Sequence, residues 1–235
     1  MNYNEKAEID LDQAKAILKV AYLLAALDGE ICEQEKAKFR ALMRQLFGER
    51  YADADVMAYL EDVAADANKL ICLRDFYSDD EEILRAFLEK TSGTVARIMA
   101  EVYVTRCAFA IWISICCADN EYSEIERSAV KQLQNLVNSC TSAGKISSVA
   151  YKCVGISVLG ILGGVRSVAV GNSKGSGSGG CCISDRFLAH VENCVKKIGE
   201  LYAKMEKATH ADIKRNYQDM CEFEIQGLKE FLAAK

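Results

Sequence analysis

The sequence predicts an all-α protein, and three observations predict it. The 235 residues contain no proline, 51% of them are hydrophobic, and apolar side chains recur at three- and four-residue spacing through most of the chain. Proline is the residue that breaks a helix interior, so a chain without it can run long helices interrupted only at glycine and turn residues. A net charge of −5 supplies no basic footprint for phosphates, so no nucleic-acid partner is expected; hard cations or basic proteins fit better.

Residues 11–27 place Leu11, Ala14, Leu18, Tyr22 and Ala25 on one helical stripe that stops at the turn dipeptide Asp28-Gly29. The spacing resumes at Phe39, Leu42, Met43 and Leu46 before Gly48, which predicts a second helix. Residues 52–70 repeat the pattern with Val56, Tyr59, Leu60, Val63 and Leu70. A helix over 80–91 carries Ile83, Leu84, Phe87 and Leu88 behind Asp79, Asp80, Glu81 and Glu82, whose charge favours a helix N-terminus. Residues 95–118 are apolar almost all round, as a central helix touched on every side would be. The turn Asp119-Asn120 then leads into a helix carrying Val130, Leu133 and Val137.

Composition changes after Asn138, and nine of the fifteen glycines fall between residues 155 and 180. An apolar stretch, VGISVLGILGGVRSVAVG, precedes a polar run, NSKGSGSGG, that reads as a linker or loop. Residues 184–207 and 210–233 read as two amphipathic helices forming a hairpin, with Phe187, Val191, Val195, Ile198, Tyr202 and Met205 on the first and Ile213, Tyr217, Met220, Leu228 and Phe231 on the second. Thr209 through Asp212 resembles a capping box at the join. The expected organisation is a helical domain over 1–145, a Gly-rich segment over 146–180 and a C-terminal helical hairpin over 181–235.

Eleven cysteines form no C-x-x-C, and the N-terminus MNYNEKAEIDLDQ is polar and acidic with no secretory pattern. Reduced thiols in a cytoplasmic protein are therefore expected, most of them buried and structural. Cys116-Cys117 and Cys181-Cys182 are each adjacent in sequence, a poor geometry for a disulfide within either pair.

An internal repeat organises the first 140 residues. DGEICEQEKAKFRAL (28–42) aligns with DNEYSEIERSAVKQL (119–133) at a constant offset of 91. Asp28/Asp119, Glu30/Glu121, Glu33/Glu124, Glu35/Glu126 and Leu42/Leu133 are identical, while Ile31/Tyr122 and Phe39/Val130 stay apolar. Two helical hairpins packed about a pseudo-twofold axis are the simplest reading. An acidic turn with a glutamate seven residues after the aspartate can aim both at one point, and hard cations such as calcium or magnesium take several such oxygens. If the two turns meet, Asp28, Glu35, Asp119 and Glu126 offer four carboxylates, with Glu30 and Glu121 outside them. The EF-hand ladder is missing. The competing reading is capping: Ser123 and Glu126 make a capping box, whereas Cys32 at the matching position is a poor cap, so capping accounts for Glu126 better than for Glu35.

The elements AALDGEICEQEK and CCADNEYSEIERSAVKQL resemble the two acidic-turn repeats of the TerB-like superfamily, which includes tellurite-resistance proteins. The resemblance covers residues 11–140, with Asn120 standing where the family's second turn usually has glycine, and about 90 residues lie beyond it. It implies a duplicated helix-turn-helix bundle, a non-enzymatic binding or sensing role in bacterial stress response, and metal at Asp28, Glu35, Asp119 and Glu126. The C-terminal hairpin would then dock a protein partner or a second copy.

The Gly-rich segment carries Gly160 and Gly164 as G-x-x-x-G, extended by Ser167 and Gly171, a spacing that lets helices approach closely in lipid. Lys152 and Arg166 leave thirteen uncharged positions between them, short of the ~20 a span needs. A close-packed helix or loop, peripheral contact with the inner membrane, and a membrane-associated scaffold or pore-like effector stay open as readings, as does a purely structural interaction domain. GSGSGG matches a dinucleotide-binding pattern only trivially, with no strand-helix-strand unit around it. His190 and Cys194 sit one helical turn apart behind Cys181-Cys182, so a zinc site can be drawn, although the spacing fits no common zinc motif. His210 is the only other histidine, and no serine or cysteine lies in a recognisable nucleophile motif, so no enzyme activity is expected.

Overall fold

Helical periodicity without proline yields helices throughout: a computed structural model describes residues 11–48, 54–77, 79–95, 97–99, 102–119, 121–142 and 183–233, and among these the regular structure is eight α-helices and no strand. They are α1 (Leu11–Ala25), α2 (Glu33–Phe47), α3 (Ala54–Phe76), α4 (Asp80–Val95), α5 (Val102–Cys116), α6 (Glu124–Ser142), α7 (Asp185–Lys207) and α8 (Ala211–Ala233). The Gly-rich segment, with its G-x-x-x-G and GSGSGG runs and Cys181-Cys182, lies outside the described residues. Among the described residues no helix is long and apolar enough to cross a membrane.

The most apolar helices, α1 and α5, are central. Ile17, Leu18, Val20, Leu23 and Leu24 of α1 and every residue from Cys107 to Cys116 of α5 are buried. The two helices pack on each other, and α1 also contacts α2, α3, α4 and α6. Trp112, fully buried on α5, donates its indole N–H to the Ile17 carbonyl of α1 at 3.1 Å, which satisfies a polar atom that would otherwise be stranded in the core. At the periphery, Asp66 of α3 accepts from Lys19 of α1 at 3.0 Å and Lys90 of α4 at 2.9 Å, tying three helices together. Burial alone would raise the Asp66 carboxyl, but the two ammonium groups hold it down at about 2.

The apolar run over 95–118 is not one helix. α4 continues to Val95, a turn follows in which Arg97 and Ile98 donate to Thr94 and Val95, and α5 begins at Val102. Thr105 fixes the corner by donating its hydroxyl to the Ile98 carbonyl at 3.0 Å. No glycine or proline lies between 96 and 101, so the break comes from packing and this hydroxyl rather than from a residue that forbids helix.

Helices α7 and α8 pack against each other and both contact α5. Phe187, Val191, Val195, Cys221, Ile225 and Leu228 belong to the same continuous core as α1 and α5. Side chains of α6 grip the entry to α7: Gln134 and Asn138 donate to the Ile183 carbonyl at 2.7 and 2.9 Å, and the Ile183 N–H donates back to Asn138 at 2.9 Å. Ser184 then caps α7 by accepting the Phe187 N–H at 3.1 Å. Helix α8 starts at Ala211, so His210 rather than Thr209 stands at the cap position, one residue beyond the capping box read from the sequence. The seven described cysteines are free thiols, with Cys107, Cys116, Cys117 and Cys221 buried, Cys32 and Cys194 half-buried and Cys72 exposed.

Candidate functional site: two acidic turns

The offset of 91 found in the sequence reappears in the helix limits. Helix α1 (11–25) maps onto α5 (102–116), and α2 and α6 begin at Glu33 and Glu124. The connecting turns make the same hydrogen bonds. Asp28 Oδ1 accepts the Glu30 N–H at 3.3 Å, and Asp119 Oδ1 accepts the Glu121 N–H at 2.9 Å. Both are aspartate turns, a local geometry that Asp favours because its side chain imitates a backbone carbonyl. The first turn also needs its glycine, since Gly29 has φ 109°, a conformation that L side chains rarely adopt.

Each turn hands over to its second helix through a capping box. In the second half the Glu126 N–H donates to Ser123 Oγ at 3.3 Å, while Glu126 Oε2 accepts the Ser123 N–H at 2.9 Å and its hydroxyl at 2.7 Å. In the first half Cys32 does the work of serine: the Glu35 N–H donates to its Sγ at 3.4 Å, and Glu35 Oε2 accepts the Cys32 N–H at 2.8 Å. Cysteine's low rank as a cap suggested otherwise. The larger sulfur reaches the amide at a longer distance, and the reciprocal bond to the glutamate completes the box.

The two glutamates are unusual caps because they are buried, at 4% exposure for Glu35 and 2% for Glu126. Glu35 is pushed up to about 7 by burial first, with Asp28 and Glu126 adding repulsion against its amide bonds to Cys32. Glu126 is also pushed up to about 7, again by burial first, against hydrogen bonds from Ser123 and Cys116 and with Asp28 repelling it. Asp28 lies at the exposed rim, where the flanking protein removes part of its water and Asp119 and Glu30 repel it, so its carboxyl also moves up. Asp28 is thus the common neighbour of the sequence-nominated acids: it is coupled electrostatically to Glu35, Glu126 and Asp119, and Glu35 is coupled to Glu126. Glu30 and Glu121 are exposed and contribute their amides to the turns.

Two further groups belong to this pole and were not nominated as site residues from sequence. Lys38 on α2 is half-buried and donates its ammonium to the Ser114 carbonyl of α5 at 2.8 Å. Burial pushes its ammonium down, while Cys117, Cys116, Asp119 and Glu35 pull it back up. The equivalent position at offset 91 is Ala129, so Lys38 has no counterpart in the second half, where Arg127 lies over the Tyr122 ring at 4.3 Å. Cys116, fully buried, is hydrogen-bonded to Glu126, and burial raises its thiol well above the ordinary value. Its place beside the second acidic turn was the one signal available in the sequence.

Chemically the pole is rich in acceptors, and Lys38, Arg127 and Lys196 are cations that act on its groups. Each of the four carboxylates commits one oxygen to its own turn. Among the described residues no three His, Cys, Asp or Glu side chains are gathered as a ready-made metal site. The acids therefore stand within electrostatic rather than coordination distance. No protein family, curated protein or solved structure compared with the chain matches it.

Proposed function

We propose that the chain is a non-enzymatic, TerB-like binding or sensing module of bacterial stress response that reads a divalent cation, calcium or magnesium, at its paired acidic turns. The observation that carries this reading is the burial of Glu35 and Glu126, the capping acids of two different turns, beside Asp28, which repels both. A cation entering between the turns would use the carboxylate oxygens not committed to the backbone and relieve that repulsion. It would draw Asp28, Glu35, Asp119 and Glu126 together and stiffen the pole. The apolar side chains that α8 leaves in solvent, Ile213, Met220 and Phe223, are the surface offered to a protein partner or a second copy.

Thermal unfolding of the full chain in chelator and then in calcium, magnesium, manganese or zinc tests the proposal. Saturation at about a hundred times the dissociation constant stabilises by about 2.7 kcal/mol, a rise of roughly 5–10 °C for a protein of this size. The variant Asp28→Asn with Asp119→Asn keeps the aspartate-turn bonds but removes two charges, and it should lose the rise. Equal melting in chelator and in every cation, or an undiminished rise in the variant, overturns the proposal. It would favour a second reading, a protein-interaction domain whose acids are caps alone, which the two completed capping boxes support.

A further inference from the structure

We propose that His190 and Cys194 on α7 form a two-point chelating site for a thiophilic cation of the zinc class. The residues are four apart on one helix, and Cys194 Sγ lies 3.5 Å from His190 Nε2. That separation is the bite such a cation needs: zinc bonds of about 2.3 Å to sulfur and 2.0–2.1 Å to nitrogen, opened at a tetrahedral angle, put the two ligands about 3.5 Å apart. Coordination would replace the direct contact between the two side chains without a change of backbone.

The surroundings suit an open, exchangeable site. The His190 ring is held against Phe231 of α8 at a centroid distance of 4.0 Å, which limits its rotation while leaving the residue exposed. Cys194 is half-buried, with Glu224 of α8 and Lys197 of α7 the charged groups acting on it, and these two pair at 2.5 Å. Since no third His, Cys, Asp or Glu joins the pair among the described residues, water or an incoming ligand completes the shell. Binding forms the metal–sulfur bond as the thiol proton leaves to solvent. Burial and Glu224 raise that thiol, so affinity rises with pH. Sulfur and imidazole select this class of metal over calcium and magnesium, which take oxygen, so the site is independent of the acidic turns.

Peptide-resolved alkylation of the full chain gives the test despite the eleven cysteines, because the tryptic peptide over residues 187–196 contains His190 and Cys194 and no other cysteine or histidine. A maleimide is applied with zinc, with magnesium and with neither. Zinc at about ten times its dissociation constant leaves roughly a tenth of the thiol free and slows modification of Cys194 about tenfold. Magnesium leaves the rate unchanged, and in His190→Gln the zinc protection collapses. An unchanged rate with zinc overturns the proposal. So does protection that survives His190→Gln, since it would assign the metal to the thiol without its neighbour.

Discussion

Replacing Glu126 by glutamine separates burial of a charge from capping of a helix. Glutamine keeps a carbonyl oxygen to accept the Ser123 N–H, and it is an accepted third residue of the capping box, so the cap survives. What disappears is ionisation. The wild-type carboxyl stands at about 7 against an ordinary 4.5, and unfolding returns it to that ordinary value. Between these two pH values the native state holds a proton that the unfolded chain has released, so stability must fall as pH rises, by up to about 1.4 kcal/mol per pH unit for each such group. Glu35 contributes in the same window with the same sign. The accumulated loss above pH 7 is on the order of 2–3 kcal/mol for either carboxyl taken alone after screening, and less than twice that for the pair because Glu126 is among the groups that raise Glu35. Glu33, Asp66, Asp185 and Glu192, whose carboxyls are all lowered, finish titrating below the window and do not mask the effect. Urea unfolding from pH 5 to pH 8.5 should show wild type losing stability to about pH 7 and then levelling. Glu126→Gln should be level with wild type near pH 5 and about 2–3 kcal/mol more stable at pH 8. A wild-type stability that is flat or rises between pH 5 and 7, or a Glu126→Gln protein with the same slope, would refute the claim that these caps are buried charges.

Two other perturbations probe the frame that holds the turns. Trp112→Phe leaves the Ile17 carbonyl without its indole donor and opens a small void between α1 and α5, so urea midpoints should report a loss of about 2–4 kcal/mol; under 1 kcal/mol would mean the bond is not made in a dry core. Asp66→Asn tests the opposite sign of linkage. A carboxyl lowered to about 2 gives stability that is present above its ordinary 3.8 and lost as pH falls through 2, so acid titration of stability should flatten in the variant and the neutral-pH loss should be about 1 kcal/mol after screening of the partly exposed lysines.

Much of this architecture was legible because the helices obey local rules. The stripe from Leu11 to Ala25, the stop at Asp28-Gly29 and the offset of 91 locate α1, the first turn and the matching turn at Asp119 without tertiary information. The break between α4 and α5 was not legible, because no glycine or proline marks it and the contact across it, a threonine hydroxyl donating to a carbonyl seven residues earlier, is made only once the corner is folded. Cys32 was discounted because cap preference averages over many helices, whereas here Glu35 supplies the second half of the box. The burial of Glu35 and Glu126 was hidden for a different reason. Charged residues in a first helical turn ordinarily face water, and it is the packing of α2 on α1 and α5, and of α6 on α4, α5 and α1, that removes it.

Capping and cation sensing are therefore not exclusive explanations of the same glutamates. A cap at the surface is stabilised as an anion by the amides and dipole at the helix start, which lowers its carboxyl. Glu35 and Glu126 receive those amides and are nevertheless raised, so burial, with Asp28 repelling both, outweighs the helix end at both sites. The caps explain where the two side chains are; they do not explain why the fold buries two of them within reach of each other and of Asp28. Lys38 offsets part of the repulsion, but it is committed to the Ser114 carbonyl and has no counterpart at Ala129. Lys38 thus offsets the repulsion only in part, and a proton acts on both carboxyls; the cation of the proposed function would act on the same two groups.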